Sequence, residues 1–442
     1  MVGAFEWRDY QSDIIDKATD IIQRNNFVYL AMEVRTGKTL TSLGICDRLG
    51  VENVLFLTKK KAMSSITKDY DVLCPASFVM FAINYESMHK APDLKWDVII
   101  CDEAHGLGAF PKPNKRAKAV RDLILKTKAK VILLSGTPSP ESYSQMYHQV
   151  YGINGNPFQS FKNFYRFCDR YVDVRERKIN GMMIKDYTRG NESIIEKMKP
   201  YTISLTQKDA GFVTETMENV LEVQLEDKTY EIANRLKRDL VIEGEEDVIL
   251  ADTPVKLMMK LHQIYSGTIK FESGNSMVLD YTKANFIKER FKGKKIGIFY
   301  KFKQEFKALK EVFGDDLTTE LYEFDTSDKN IALQIVSGRE GISLKHADYL
   351  VYYNIDFSAT SYWQSKDRMT TKDRLKNRVY WIFSKGGIEA DIYKAVTKKK
   401  DYTLRHFKKD LLWKIETNSE TRTNSDTRQY QLLILLKHIL LF

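Results

Sequence analysis

"FVYLAMEVRTGKT", residues Phe27 to Thr39, passes from an apolar run through a short polar loop into Gly37-Lys38-Thr39. A run of this length, stopped by a glycine-bearing turn, reads as a buried strand followed by the first turn of a helix. Gly37 lets the backbone approach a ligand closely, Lys38 brings a cation suited to terminal phosphates, and Thr39 offers a hydroxyl to Mg²⁺. Arg35 and Thr36 complete the loop. Met32 stands where such loops carry their first glycine, so the neighbouring sequence has to supply the context.

Working outward, similar apolar runs recur as "NVLFLT", "SFVMFAI", "WDVIICDEAH" and "KVILLSGTP", each ending in polar or glycine-bearing turns. They predict buried parallel strands of an α/β sheet with functional groups just past the strand ends. Upstream, "YQSDIIDKATDIIQ" places Ile14, Ile15, Ala18, Ile21 and Ile22 on one helical face. Downstream, from about Gly155 to Gly211, the chain turns aromatic and basic. This predicts a helical insertion in which most of Phe161, Phe164, Tyr165, Phe167 and Tyr171 serve as core. "ETMENVLEVQL" reads as one strand before a charged helical linker, and a second series follows: "KIGIFYKF", "LYEFD", "IALQIVS", "YLVYYNID" and "RVYWIFSK".

The expected organisation is a first lobe over 1–154, a helical insertion and linker over 155–255, a second lobe over 256–410, and a tail of unknown role over 411–442. A chain of 442 residues with 43% hydrophobic content supports more than one core. The net charge of +10 suits a polyanionic partner. Cys46, Cys74, Cys101 and Cys168 lie far apart, with neither CxxC spacing nor a histidine cluster, which points to reduced thiols rather than a zinc site. The start lacks a secretory pattern. The apolar run "LLILLKHILLF" is broken by Lys437 and His438 and falls short of the roughly 20 residues a spanning helix needs. No membrane partner is expected, and the expectation is a cytoplasmic monomer.

The strand "WDVII" runs into "CDEAH". Adjacent acids at a strand end suit nucleotide hydrolysis: Asp102 holds Mg²⁺ through water while Glu103 orients and deprotonates the attacking water. The competing reading of this pair is a strand-to-helix turn with a capping aspartate. Further along come "LSGTP" and "GREGISLKHADYLVYYNIDFSATSYWQSKDRMTTKDR".

Taken in order, these segments resemble a superfamily 2 helicase-type ATPase, nearest to the Swi/Snf-type DNA translocases in their bacteriophage form, from about Trp7 to about Phe407. The resemblance implies two RecA-like lobes, ATP with Mg²⁺, and DNA as partner, duplex DNA favoured over RNA and single-stranded DNA left open. Arg8, Tyr10 and Gln11 match an adenine-reading element, Arg35 to Thr39 the phosphate loop, and Asp102, Glu103 and His105 the acidic motif. Asn84, Tyr85 and Glu86 resemble a first-lobe element near the nucleic-acid track, and Ser135 to Thr137 the element linking hydrolysis to lobe movement. Gly338, Gly341, Ser343 and Leu344 resemble a second-lobe motif that touches both nucleic acid and the lobe interface, which implies Gly341 as a nucleotide contact and Ser343, with Lys345 beside it, as nucleic-acid contacts. Gln364 and Arg368 match the last motif, which in this family reaches the γ-phosphate. Thr371 stands where a second arginine is usual, leaving Arg368 and Arg374 as alternatives for the arginine finger.

Basic residues from Lys366 to Lys414 suit sequence-independent phosphate contacts. The implied function is an ATP-dependent DNA translocase or helicase of phage replication, recombination or repair. A catalytically weak DNA clamp and a motor subunit of a nuclease or restriction complex are the rival readings.

Overall fold

Two all-parallel six-stranded sheets organise the chain. The structure, a computed structural model, describes residues 6–75, 77–179, 182–244, 247–338, 342–371 and 374–398. The chain divides into two compact units at Val213/Thr214.

In the first unit β1 (Phe27–Met32), β2 (Asn53–Thr58), β3 (Val79–Asn84), β4 (Val98–Cys101) and β5 (Lys130–Leu134) form from the apolar runs. A small antiparallel hairpin, β6 (Arg175–Ile179) with β7 (Met182–Asp186), stands apart, and β8 (Thr202–Leu205) then joins the sheet. The strand order is β3-β2-β4-β5-β1-β8. Side chains alternate strictly between faces, as a pleated strand requires. Val28, Leu30, Met32, Val54, Phe56, Ile100 and Ile132 pack with Ile14, Ile15, Ala18 and Ile22 of helix α1 (Asp9–Asn25) and with Leu43 and Ile45 of helix α2 (Lys38–Leu49). Phe27, Tyr29, Leu55, Leu57, Ile99 and Leu133 face the opposite core. Truncating any such wholly buried aliphatic side chain to alanine costs about 2–5 kcal/mol, which is why the strand pattern tolerates few polar substitutions.

The aromatic run supplies much of that second core. Phe158, Phe164, Phe167 and Tyr171 are buried in one cluster around Phe167, with Phe158 edge-on to it and Phe164 and Tyr171 tilted against it, whereas Tyr165 is exposed. His148 stacks on Phe164 and lies with Nδ1 2.7 Å from the Ala109 carbonyl oxygen. Its burial pushes the ring pKa down to about 4.

The second unit opens with β9 (Glu215–Val223) and carries two hairpins, β10 (Val241–Glu243) with β11 (Val248–Leu250) and β12 (Thr268–Lys270) with β13 (Ser276–Val278). Then follow β14 (Ile296–Tyr300), β15 (Leu317–Thr318), β16 (Asn330–Gln334), β17 (Tyr349–Tyr352) and β18 (Lys376–Ser384). The order is β15-β16-β14-β17-β18-β9. Behind this sheet Lys283 Nζ and Glu389 Oε1 form an ion pair of 2.7 Å, with side chains only 1% and 0% exposed.

Two sequence expectations change. "LYEFD" is a helix, Leu321–Thr326, because only Phe324 is buried while Tyr322 is exposed, and Thr326 bonds back to the Tyr322 carbonyl one turn earlier. The stretch 155–255 is also not solely helical. It holds the helices Phe164–Tyr171, Ser193–Met198 and Asp227–Asp239 and two hairpins, and it gives one edge strand to each large sheet. "TISL" is too short for its period to be read, and only pairing with β1 makes it a strand. The tail 411–442 lies outside the described residues. Among the described residues no helix is long and apolar enough to cross a membrane.

Candidate functional site: a nucleotide loop and a paired acid

The loop between β1 and α2 is bent by left-handed backbone at Arg35 (φ 66°) and Gly37 (φ 85°). Gly37 is dictated twice over: an L side chain is strained at that φ, and a Cβ there would sit 2.5 Å from Gln11 Nε2. Several groups brace the loop. Thr36 Oγ1 donates to the Glu33 carbonyl (2.7 Å), and the Tyr10 hydroxyl to the Thr36 carbonyl (3.1 Å). Arg8 Nη1 donates to the Tyr10 hydroxyl (2.7 Å). Gln11 is buried; its amide donates to Thr41 Oγ1 (3.3 Å) and, at the limit, to the Gly37 carbonyl (3.5 Å), and accepts from the Arg8 amide (3.3 Å). Thr36 and Gln11 therefore hold the loop in shape here and do not present free polar edges to a ligand. A further brace comes from far along the chain: the Gln207 amide donates to Glu33 Oε2 (2.7 Å) and its side chain to the Val34 carbonyl (3.0 Å).

Lys38 begins α2, with Thr39 in the same first turn, where helix amides and dipole favour an anion. Lys38 Nζ donates to the Glu33 carbonyl at 3.1 Å, and the Cβ position of Gly136 lies 3.7 Å from it. Its charge acts on both carboxylates of the next strand end. The loop of β1, the acids after β4 and the Ser135–Thr137 element after β5 thus converge at the carboxyl ends of adjoining parallel strands, the usual place for ligands in an open α/β sheet.

Asp102 is fixed from several sides. Its Oδ2 accepts from Thr58 Oγ1 (2.8 Å), its Oδ1 from the Glu103 amide (3.0 Å), and its carbonyl from the Tyr85 hydroxyl (2.6 Å). Burial, then repulsion from Glu103, raises its pKa above the ordinary carboxylate range. Glu103 moves the other way: burial opposes its charge, but His105, Lys38 and Lys59 outweigh it and hold the carboxylate ionised. Glu103 takes a left-handed φ of 49°, a conformation costing an L residue about 1–2 kcal/mol. That bend turns its side chain toward His105. Glu103 Oε2 lies 3.2 Å from His105 Nδ1 without an aligned hydrogen bond and, like Thr137 Oγ1, is buried with no hydrogen-bond partner among the described residues. His105 Nδ1 also lies 3.0 Å from Ser135 Oγ, which accepts from the Thr137 amide at 3.1 Å. The acid pair is thereby linked through His105 to the next strand end, and it keeps unmet bonding capacity.

Tyr85, expected beside a nucleic-acid track, is instead buried, with its ring under the Arg116 guanidinium (4.7 Å). Arg116 also pairs with Glu86 (2.5 Å), whose other oxygen accepts from Asn84 (3.3 Å). These residues support the acid turn, and nothing in the apolar periodicity around Tyr85 separates a buried tyrosine from an exposed one. Sequence reading passed over Thr58, Gln207 and the lysines after β2. Lys60 and Lys61 are exposed there, and the run "TKKK" directly after a strand was the available signal. Among the described residues no cluster of histidine, cysteine or acids holds metal-ligand geometry on its own. The hollow of about 570 Å³ near Asn26, Leu125, Tyr151 and Phe158 sits by the amino-terminal ends of β1 and β5, away from these groups.

In the second unit Gly341 lies outside the described residues, and Gln364 is placed only by its backbone in the helix Ala359–Ser365. Arg368 is buried; its Nη1 donates to the Ile342 carbonyl (3.3 Å) and its carbonyl accepts from the Leu344 amide (2.8 Å). The segment of Ser343 and Lys345 is thus bound to the arginine segment. Arg374 does not offer a free fork. Its Nε, Nη1 and Nη2 donate to the carbonyls of Lys376 (3.3 Å), Lys345 (3.1 Å) and Asp348 (3.0 Å). As an alternative for the arginine finger it is disfavoured, because all three nitrogens already fasten one turn to the next.

The SNF2-related domain family matches residues 25–270. Protein p41 of Acyrthosiphon pisum secondary endosymbiont phage 1 is 24% identical over 200 residues, covering 43% of each chain. The CHD3-type chromatin-remodeling factor CHR7 of Arabidopsis thaliana is 20% identical over 370 residues, covering 74% of this chain and 28% of its own. The chain thus spans less than half the length of either relative. Among solved structures, the Sulfolobus solfataricus SWI2/SNF2 ATPase core in complex with dsDNA aligns at 14% identity and a TM-score of 0.41, covering 89% of this chain and 91% of that one. With more than half of its 442 residues inside the family match, the chain belongs to the SNF2-related domain family.

Proposed function

We propose that this protein is a DNA-dependent ATPase that converts ATP hydrolysis into movement along duplex DNA. The observation that carries the reading is the convergence of Lys38 with the ionised, under-bonded Glu103 and with Asp102 in a chain of this family. Lys38 binds the terminal phosphates, and Arg35, Gly37 and Thr39 surround them with backbone and side-chain donors. Thr39 and Asp102 would hold Mg²⁺, which supplies neutralisation of phosphate charge when bound. Glu103 orients a water for in-line attack. The water oxygen bonds to the γ-phosphorus as the bridging P–O bond to the β-phosphate breaks, and Glu103 accepts the proton.

Arg368 is the arginine this reading assigns to the γ-phosphate, since Arg374 is tied to backbone carbonyls. Arg8 and Gln11 serve the base only indirectly, by shaping the loop. Asn84, Ser343, Lys345, Lys60 and Lys61 are the proposed contributors to the DNA track. The similarity to a phage protein supports a phage setting, and the proposal places the motor in phage DNA replication, recombination or repair, inside the host cytoplasm.

ATPase rates with duplex DNA, single-stranded DNA and RNA across a salt series test the proposal. Duplex DNA is expected to stimulate most, with stimulation falling as salt rises. Stimulation by RNA alone, or no ATP turnover with any nucleic acid, would remove it.

A further inference from the structure

Glu218 lies in β9, the first strand beyond the division of the chain. Its carboxylate gathers donors from four other elements. The Tyr362 hydroxyl lies 2.8 Å from each oxygen, Lys366 Nζ 2.8 Å from Oε1, and Trp381 Nε1 and the Tyr393 hydroxyl 2.9 and 3.2 Å from Oε2. The Lys366 ammonium sits 4.0 Å from the Trp363 ring centre and 4.6 Å from that of Tyr362. Burial opposes the charge on Glu218, but the lysine and the surrounding donors outweigh it and keep its pKa below the ordinary value. Only a carboxylate has acceptor capacity for all four groups; a glutamine would turn an NH₂ toward donors.

The same strand is sewn to the far end of the arginine segment. Thr214 Oγ1 donates to the carbonyls of Thr371 (3.2 Å) and Arg374 (2.5 Å), and the Glu215 amide to that of Leu375 (2.9 Å). Arg368 lies between these two attachments. A shift of β9 that broke neither would have to take residues 362–375 with it.

We infer that Glu218 is a positioning residue for Arg368: β9 and the Tyr362–Arg368 segment form one body, so the strand leading out of the interlobe connection carries the arginine into or out of its working position. This rests on the role proposed for Arg368 in ATP hydrolysis. Glu218 touches neither substrate nor nucleic acid; it acts through the arginine.

The test is a double-variant cycle on the full chain, read by single-turnover ATP hydrolysis with saturating duplex DNA, by KM for ATP, and by cooperative thermal unfolding. Glu218→Gln is expected to lower the hydrolysis rate about tenfold while KM for ATP changes by less than about twofold. With Arg368→Ala already present, adding Glu218→Gln is expected to change the rate by less than about twofold, because its target is gone. A full multiplicative loss in the double variant, or a normal rate in folded Glu218→Gln, would overturn the inference. A normal rate in Arg368→Ala alone would instead defeat the arginine assignment, and this inference with it. Should Glu218→Gln fail to fold, Tyr362→Phe removes one donor of the four and is expected to give the same non-additivity at about threefold.

Discussion

The acid turn of the first unit and the arginine segment of the second use charge in opposite ways. Around Glu103 bonding capacity is left unmet among the described residues: Oε2 lacks an aligned partner, Thr137 Oγ1 has none, and Lys38 donates to a backbone carbonyl. The donors around Glu218 and those of Arg374 each meet a carboxylate or carbonyl oxygen. Satisfied charges fix geometry, and unsatisfied ones are available for chemistry. A strained backbone accompanies the second kind, at Glu103 and Arg35.

This contrast can be broken experimentally. The largest effect is expected from Lys38→Ala and Glu103→Gln, each lowering ATP turnover about a thousandfold or more while DNA binding, followed by fluorescence anisotropy, largely survives. Cooperative unfolding of each purified variant would assign the loss to chemistry rather than to folding. Normal turnover in both purified variants would cancel the assignment of the site.

Next comes the buried pair of the second unit. Lys283→Met alone is expected to cost about 3–5 kcal/mol in chemical denaturation, because it strands the Glu389 carboxylate away from water. Lys283→Met with Glu389→Leu should regain most of that loss. A single variant as stable as wild type would show that the carboxylate takes up a proton or finds water.

Arg374→Ala is expected to be milder, about 2 kcal/mol, through three lost charge-assisted bonds to the backbone. If Arg374 is scaffolding, its variant lowers stability and weakens DNA stimulation through the Lys345 turn, yet ATP hydrolysis without DNA persists. Loss of hydrolysis as deep as in Arg368→Ala would return Arg374 to the chemistry.

The smallest effect concerns pH. Folded His148 titrates near 4, against an ordinary value of 6.5 in the unfolded chain. Between these values the unfolded state binds more protons, so stability falls as pH drops from about 6.5 toward 4 and is level above that window. His148→Gln is expected to flatten this part of the stability profile; an unchanged slope would assign the loss to carboxylates.

Much of this was legible in the sequence because the central strands are continuous apolar runs stopped by functional turns, as in "WDVIICDEAH". Burial on both faces leaves such runs few alternatives. "LYEFD" misled because five residues do not separate a period of 2 from one of 3.6. The inward turn of Tyr85 and the amide bonds of Gln11 depend on neighbours distant in the chain, as does the brace from Gln207. Arg368 and Arg374 look alike in sequence; their difference lies in which carbonyls the fold sets before each fork.

The late arrival of β8 and β9 bears on how the protein is made. Strand β1 emerges from the ribosome early but gains its outer neighbour only once Leu205 has been synthesised, and β9 waits for β18, completed at Ser384. Until then β1 and β9 each present an unpaired hydrogen-bonding side that the partner strand later covers, and closure of such long loops is slow. Synthesis paused shortly before either point would leave a species prone to wrong pairing, so productive assembly favours uninterrupted translation or a chaperone that shields those edges.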